Sequence, residues 1–449
     1  MVQDALRLAA GALEADKRLL PGQLLGRLVH WDDQAWGDLP YQIMAWDEYA
    51  WLQPLQPALT QAGGALQMTL QAHQEYIVDA RMMSDRTHLI TTGNRDPVIR
   101  IWNLHDGRLV RELSASEAGV NAIVLLTDDR TLVAGDSAGT IRSWDAVSGV
   151  MQYEVELNSA AILRLAVDDE ESVVCASSED GKVAIVDLPS GEQLHHIDAH
   201  RLAIRYLTIF NDLGQVVSMG DDRHVKVWSI ESGEAVHDWL GLEERPTAVL
   251  QSEDERILVV ADFSGALLAF DLQAGAIKTR FKGHGSKINQ LLWVEGQEKF
   301  AAASADKLVN IWLLEETQPV TSLAGHGAEV WRIALSQDGR YLASGAKEDQ
   351  VIVWDLDLGE AIYILAGHDR GAGPLQFLSD DQVLLAGDFD GLIHAWSMET
   401  SELIRLLRGH ERALSAFIAD YDGDSLISAG QDGTVRLWRT SQSLEPLPN

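Results

Sequence analysis

The chain has 449 residues, 46% hydrophobic and 23% charged, with a formal charge of −33 and a pI near 4.6. That charge argues against a broad phosphate-binding surface or attachment to anionic membranes, because both need clustered Lys and Arg. One cysteine, Cys175, excludes an internal disulfide framework and a cysteine-rich zinc site.

In chain order, Asp4–Leu20 places Leu6, Ala9, Leu13 and Leu20 among charges, which predicts an amphipathic helix stopped at Pro21-Gly22. Asp4, Glu14 and Asp16 make this stretch unlike a signal peptide, and no apolar run approaches the roughly 18–20 residues of a membrane span, so a cytoplasmic protein is expected. Residues 22–31 and 41–52 read as two further helices. Trp31, Trp36, Trp46 and Trp51 are too many to leave wet, so they either cap the rest of the molecule or dock a partner.

From there the sequence is periodic. Trp102, Trp144, Val186, Trp228, Phe270, Trp312, Trp354, Trp396 and Trp438 each close a short β-like run, and every interval is 42 residues. Each unit holds about four such runs separated by tight turns. In Gly325–Ala366 the turns fall at residues 337–339, 347–349 and 358–359. Four strands make one small sheet, and such sheets must stack to bury both faces. The last unit lacks a fourth strand, while residues 64–73 (GALQMTLQAH) match the outer strand at residues 359–368 (GEAIYILAGH). A spare first strand can therefore fill the final vacancy and remove an open edge. The resulting expectation is all-β: one ring of nine units over residues 61–440, with a helical segment at 1–60 and a tail at 441–449. Eight-unit and seven-plus-two arrangements remain open.

The sequence resembles the WD-repeat β-propeller family over most of its length. The resemblance rests on Gly-His or Ala-His dipeptides ending at His73, His200, His284, His326, His368 and His410, and on turn aspartates six residues before the landmark, at Asp96, Asp180, Asp222, Asp306, Asp390 and Asp432. Trp-Asp itself occurs at Trp144-Asp145 and Trp354-Asp355. The N-terminal stretch at residues 8–28, followed by 51–73, resembles the helical connector that precedes the propeller in bacterial STAND or NB-ARC-type signalling NTPases. That likeness implies a sensor function beside an NTPase or effector component, although the chain carries neither domain.

His200, Ser218 and Asp222 invite reading as a catalytic triad. The combination recurs, however, as His410, Ser428 and Asp432 and as His73, Thr92 and Asp96, each with its landmark Trp228, Trp438 or Trp102. A catalytic site is needed once, whereas a structural bracket is needed in every unit. The family resemblance implies a hydrogen-bonded chain from the His through the turn Asp and hydroxyl to the indole. Parts are missing in the second unit (Ser116, Ala138), the third (Asn158, Val186) and the fifth (Leu242, Ser264, Phe270), and the seventh carries Glu348-Asp349 at its turn. The remaining histidines, His394 among them, show no metal-ligand spacing along the chain, and Lys287 in GHGSK lacks phosphate-loop glycines. No catalytic, cofactor or metal residues are therefore assigned.

Binding in this family uses the face where the start of the innermost strand meets the turn before the Trp run. That mapping selects Phe263, Lys287, Asn289, Trp331, Lys347 and Phe389, aromatics rimmed by lysines, as partner-binding candidates. Packing of Trp331 between units is the competing account. The sequence thus points to a non-catalytic, monomeric protein-interaction ring that binds one or more proteins and neither nucleic acid nor membrane. The alternative is a propeller hydrolase or lyase with a site in the central channel.

Overall fold

The computed structural model describes residues 65–439 apart from 158–159, 296–297, 348–349, 369, 379–380 and 420–424. The helices and tryptophans of residues 1–60, the tail at 441–449, Asn158 and the Glu348-Asp349 turn lie outside the described residues.

Among the described residues, thirty-six strands, numbered in chain order, form nine four-stranded antiparallel sheets. The first sheet is representative. It runs β2 (Ile77–Met82), β3 (His88–Gly93), β4 (Val98–Asn103) and β5 (Leu109–Ser114), in sequence order from the centre outward. The first strands of successive sheets lie beside one another around the middle of the molecule. The landmark residue sits on the third strand and is buried, including Val186 and Phe270 at 0% exposure, which replace the indole without opening a gap.

A strand with one face in water would alternate polar and apolar side chains. Instead Val183–Val186 of the third sheet are all buried, as is the whole second strand Val173–Ser178. Each middle strand lies between two neighbouring sheets, so both its faces are core and the hydrophobic run is nearly continuous. The outer strands pack on one side only, and Met151–Glu156 alternates accordingly.

Nine apolar clusters join adjacent sheets. One of them ties Leu89 and Trp102 of the first sheet to Met68, Leu70, Ile427 and Ala429 of the ninth, so the ring is closed. The ninth sheet consists of β34 (Leu414–Ala419), β35 (Ser425–Gly430), β36 (Thr434–Arg439) and, as its outermost member, β1 (Leu66–Gln71). Strand β1 pairs antiparallel with β36 through Leu70 opposite Val435 and Thr69 opposite Arg436. The spare N-terminal strand thus fills the C-terminal vacancy, and nine units close as one ring.

The chain leaves β1 directly into His73, whose amide donates to the Gly433 carbonyl of the ninth sheet at 2.9 Å. Gly433 has φ +75°, and a Cβ there would meet the His73 carbonyl oxygen at 2.2 Å. Only glycine satisfies both the left-handed turn and this close approach.

Candidate functional site

In the fourth sheet, the His200 Nδ1 lies 2.8 Å from Asp222 and its Nε2 lies 2.9 Å from Ser218 Oγ, which accepts the Trp228 indole N–H at 2.9 Å. The ninth sheet repeats this with His410, Asp432, Ser428 and Trp438, at 3.1, 2.7 and 2.8 Å. A neutral ring protonated on Nδ1 satisfies every member: it donates to the carboxylate, accepts the hydroxyl proton, and leaves the hydroxyl oxygen for the indole. Both serines are 0% exposed. Each hydroxyl is thus sealed in the core between its imidazole and its indole.

The first sheet corrects one expectation. The hydroxyl bridging His73 and Trp102 belongs to Thr91, at 2.9 and 3.0 Å, and Thr92 instead donates to the Asp79 carbonyl at 3.4 Å. The turn from Gly93 to Pro97 is one residue longer than its counterpart at Gly220–Arg223, so Thr91 rather than Thr92 reaches the bridging register. Counting eighteen residues forward from the histidine, as for His200 and His410, finds Thr91. His73 keeps its expected carboxylate, Asp96, at 2.8 Å.

Burial lowers the pKa of His73, His200 and His410, and it outweighs the aspartate beside each. Burial also pushes Asp432 upward, but hydrogen bonds from His410 and from the amides of Glu411 and Thr434 hold it well below the usual carboxylate range.

The seventh sheet retains the hydroxyl link, His326 to Ser344 and Trp354 to Ser344, both 2.7 Å. The sixth breaks it: Ala302 replaces the hydroxyl, although His284 still meets Asp306 at 2.9 Å. Where the bracket is absent in the second and fifth sheets, another device appears that sequence reasoning missed. Asp136 and Asp262 stand eight residues before the landmark, buried at 2% and 0%, and accept amides of their own turns. Asp262 additionally accepts the Glu243 and Glu244 amides, tying in the loop that Leu242 enters. The signal was a third acid position, Asp136, Asp262 and Asp388, recurring only where the usual pattern fails or weakens.

The expected docking residues fall at one end of the ring, because the start of each first strand pairs with the end of the second, as Val330 does with Ala346. Trp331 and Phe389 meet edge to face at 4.9 Å, and the Lys347 ammonium lies 5.8 Å from the Trp331 ring. Trp331 is half-buried and its indole N–H donates to Glu329 at 3.0 Å. A second group joins Phe263, 43% exposed, to Arg245 and Lys287 at 5.0 and 5.9 Å. Asn289 faces inward to the next sheet instead: its side-chain amide donates to the Val330 carbonyl at 2.8 Å and ties two sheets together, as Asn121 does to Ile162. Charges on the innermost strands pair locally, Asp79 with Arg81 at 3.1 Å and Arg205 with Asp221 of the nearby turn at 2.8 Å.

His394 shows no ligand spacing in sequence, yet the fold brings it to His368 and Asp388, with donor atoms of all three within 4.8 Å of one another. No described helix is long and apolar enough to cross a membrane.

A family model described as the N-terminal domain of nucleolar protein 10-like proteins matches residues 74–245, and the WD domain, G-beta repeat model matches 275–312, 317–355 and 401–439. The chain carries WD repeats folded as a β-propeller. No curated protein matches it. Among solved structures, the computationally designed Ika8 protein is similar at 22% identity and a TM-score of 0.61, covering 84% of this chain and 100% of that one. That likeness concerns the fold alone.

Proposed function

We propose that this propeller is a non-catalytic recognition module that holds an acidic protein segment on the end of the ring carrying Trp331, Phe389 and Lys347. The observation that carries this reading is the contiguous aromatic and cationic group on one rim, Trp331 against Phe389 with Lys347 beside the indole. Aromatics supply most of the contact energy at such sites, while charges set encounter rate and register. In a chain of net charge −33, exposed cations gathered beside aromatics favour an acidic partner and steer it to that rim.

A closed ring also preorganises the site, since little conformational entropy remains to be lost on binding. In this proposal residues 1–60 couple the ring to a further component, an NTPase or effector of a bacterial signalling or defence assembly in the cytoplasm. The resemblance of residues 8–28 and 51–73 to a STAND-type connector supports that part. Affinity purification with the wild type and the Trp331→Ala and Phe389→Ala variants tests the docking rim. Loss of the same acidic partner in both variants is expected; undiminished recovery in both removes the rim from consideration.

A further inference from the structure

The eighth sheet combines three linked positions that no other sheet combines. Ala386 replaces the bridging hydroxyl, Asp388 occupies the alternative turn position, and His394 stands two residues before Trp396. In four of the other eight sheets that last position holds a fixed cation, Arg100, Arg142, Lys226 or Arg436, and in the rest it holds Ala184, Leu268, Asn310 or Ile352. Arg100 contacts Asp96 at 2.7 Å and lies 2.9 Å from His73, and Arg142 pairs with Asp136. In the first sheet the space between the turn acid and the bracket histidine is therefore a cation position, and in the second, which lacks the histidine, a guanidinium still meets the turn acid. In the eighth that space is lined by two imidazoles and a carboxylate.

His368 is 0% exposed, and neither of its ring nitrogens has a hydrogen-bond partner. Its expected turn partner, Asp390, is paired with Arg370 at 3.4 Å instead. The His368 and His394 rings lie 4.1 Å apart at an interplanar angle of 64°, and Asp388 and His394 are 1% and 3% exposed. Asp388 Oδ1 accepts the Asp390 and Leu392 amides at 2.9 and 2.8 Å, which fixes the carboxylate in the pocket. A buried imidazole with two unused nitrogens is costly unless something engages it.

The geometry points to a divalent transition-metal site formed by His368, Asp388 and His394, with zinc the best match. Two imidazoles and one carboxylate are a borderline donor set suited to zinc, and three protein ligands leave one position for water. Tetrahedral zinc with bonds near 2.0–2.2 Å needs donors about 3.3 Å apart, so the three side chains close inward through small torsional changes. The ion takes the place of the guanidinium found in the first and second sheets and holds the turn of the eighth to the loop before it.

The test uses the full chain, stripped with a chelator, exposed to zinc and passed through size exclusion. One equivalent of zinc per chain is expected by elemental analysis, falling at least tenfold in His394→Leu and Asp388→Asn. The His224→Ala variant, which removes a surface histidine paired with Asp238, keeps its zinc. No retained zinc in the wild type overturns the site, as does equal retention in both pocket variants. Should those variants fail to fold, X-ray absorption of the zinc-loaded wild type decides: two imidazoles in the first shell are expected, and a shell of oxygen alone overturns the proposal.

Discussion

His284 and Trp312 meet edge to face with ring centroids 5.4 Å apart, yet neither the His284 Nε2 nor the Trp312 Nε1 has a hydrogen-bond partner. The residue that would serve both is Ala302, eighteen after the histidine and ten before the tryptophan, where Ser218, Ser344 and Ser428 stand in sheets with an intact link. Ala302→Ser restores a donor for the imidazole and an acceptor for the indole, and is expected to stabilise the protein by about 0.5–1.5 kcal/mol. Ser428→Ala does the reverse in the ninth sheet, leaving His410 and Trp438 unsatisfied at a cost of about 1–3 kcal/mol. Urea unfolding midpoints read both, and shifts of the same sign in the two variants would refute this account of the bracket.

Acidification should weaken the intact brackets. The histidines His73, His200 and His410 have folded pKa values below their ordinary 6.5, so the unfolded chain takes up protons first. Their stabilising contribution is complete above 6.5 and fades as pH falls below it. Asp96, Asp222 and Asp432 are also depressed, so theirs fades further as pH drops below 3.8. Neutralising the surface charge on the way to the pI acts in the opposite direction, so unfolding is measured at high salt, where surface repulsion is screened. Stability falling from pH 7 to pH 5 is expected, and a rise over that interval would contradict the assignment.

Gly433→Ala tests the seam between the first and ninth sheets. An alanine at φ +75° is strained by about 1–2 kcal/mol, and its Cβ would collide with the His73 carbonyl. Gly214 is the control, because its φ is +58° but nothing lies within 4 Å of a Cβ there. Thermal unfolding should show the Gly433 variant losing clearly more stability than Gly214→Ala.

Charge reversal at the docking rim separates steering from anchoring. Lys347→Glu should slow association of the acidic partner and flatten its salt dependence, while Trp331→Ala should mainly speed dissociation. Surface plasmon resonance distinguishes the two.

The ring, its unit count and its clasp were legible because they rest on the 42-residue recurrence and on the likeness of residues 64–73 to 359–368. Both are properties of spacing. Thr91 was missed because a single inserted residue in the first turn shifts the hydroxyl, and a fixed offset counted back from Trp102 falls on Thr92. The isolation of His284 and Trp312 was equally readable from Ala302, but only by following the hydroxyl position through every unit. The pocket at His368 was hidden for a different reason. Its ligands come from a loop and two strands, β31 (Val383–Asp388) and β32 (Ile393–Ser397), so proximity arises only once the hairpin pairs Ala386 with His394. Asn289 looked like a surface contact because its sequence position does not show the neighbouring sheet whose carbonyl it binds.

The clasp closes the ring on which the proposed docking rim and the proposed metal pocket both sit. Strand β1 places Thr69 opposite Arg436, with the guanidinium 3.4 Å from the Thr69 hydroxyl, so the two side chains share one face. A Thr69→Cys, Arg436→Cys double variant oxidised in dilute solution, digested and analysed by mass spectrometry reports this pairing directly. A disulfide between positions 69 and 436 is expected within single chains that elute as monomers. Its absence, or its formation only between chains, would contradict a ring closed by its own first strand.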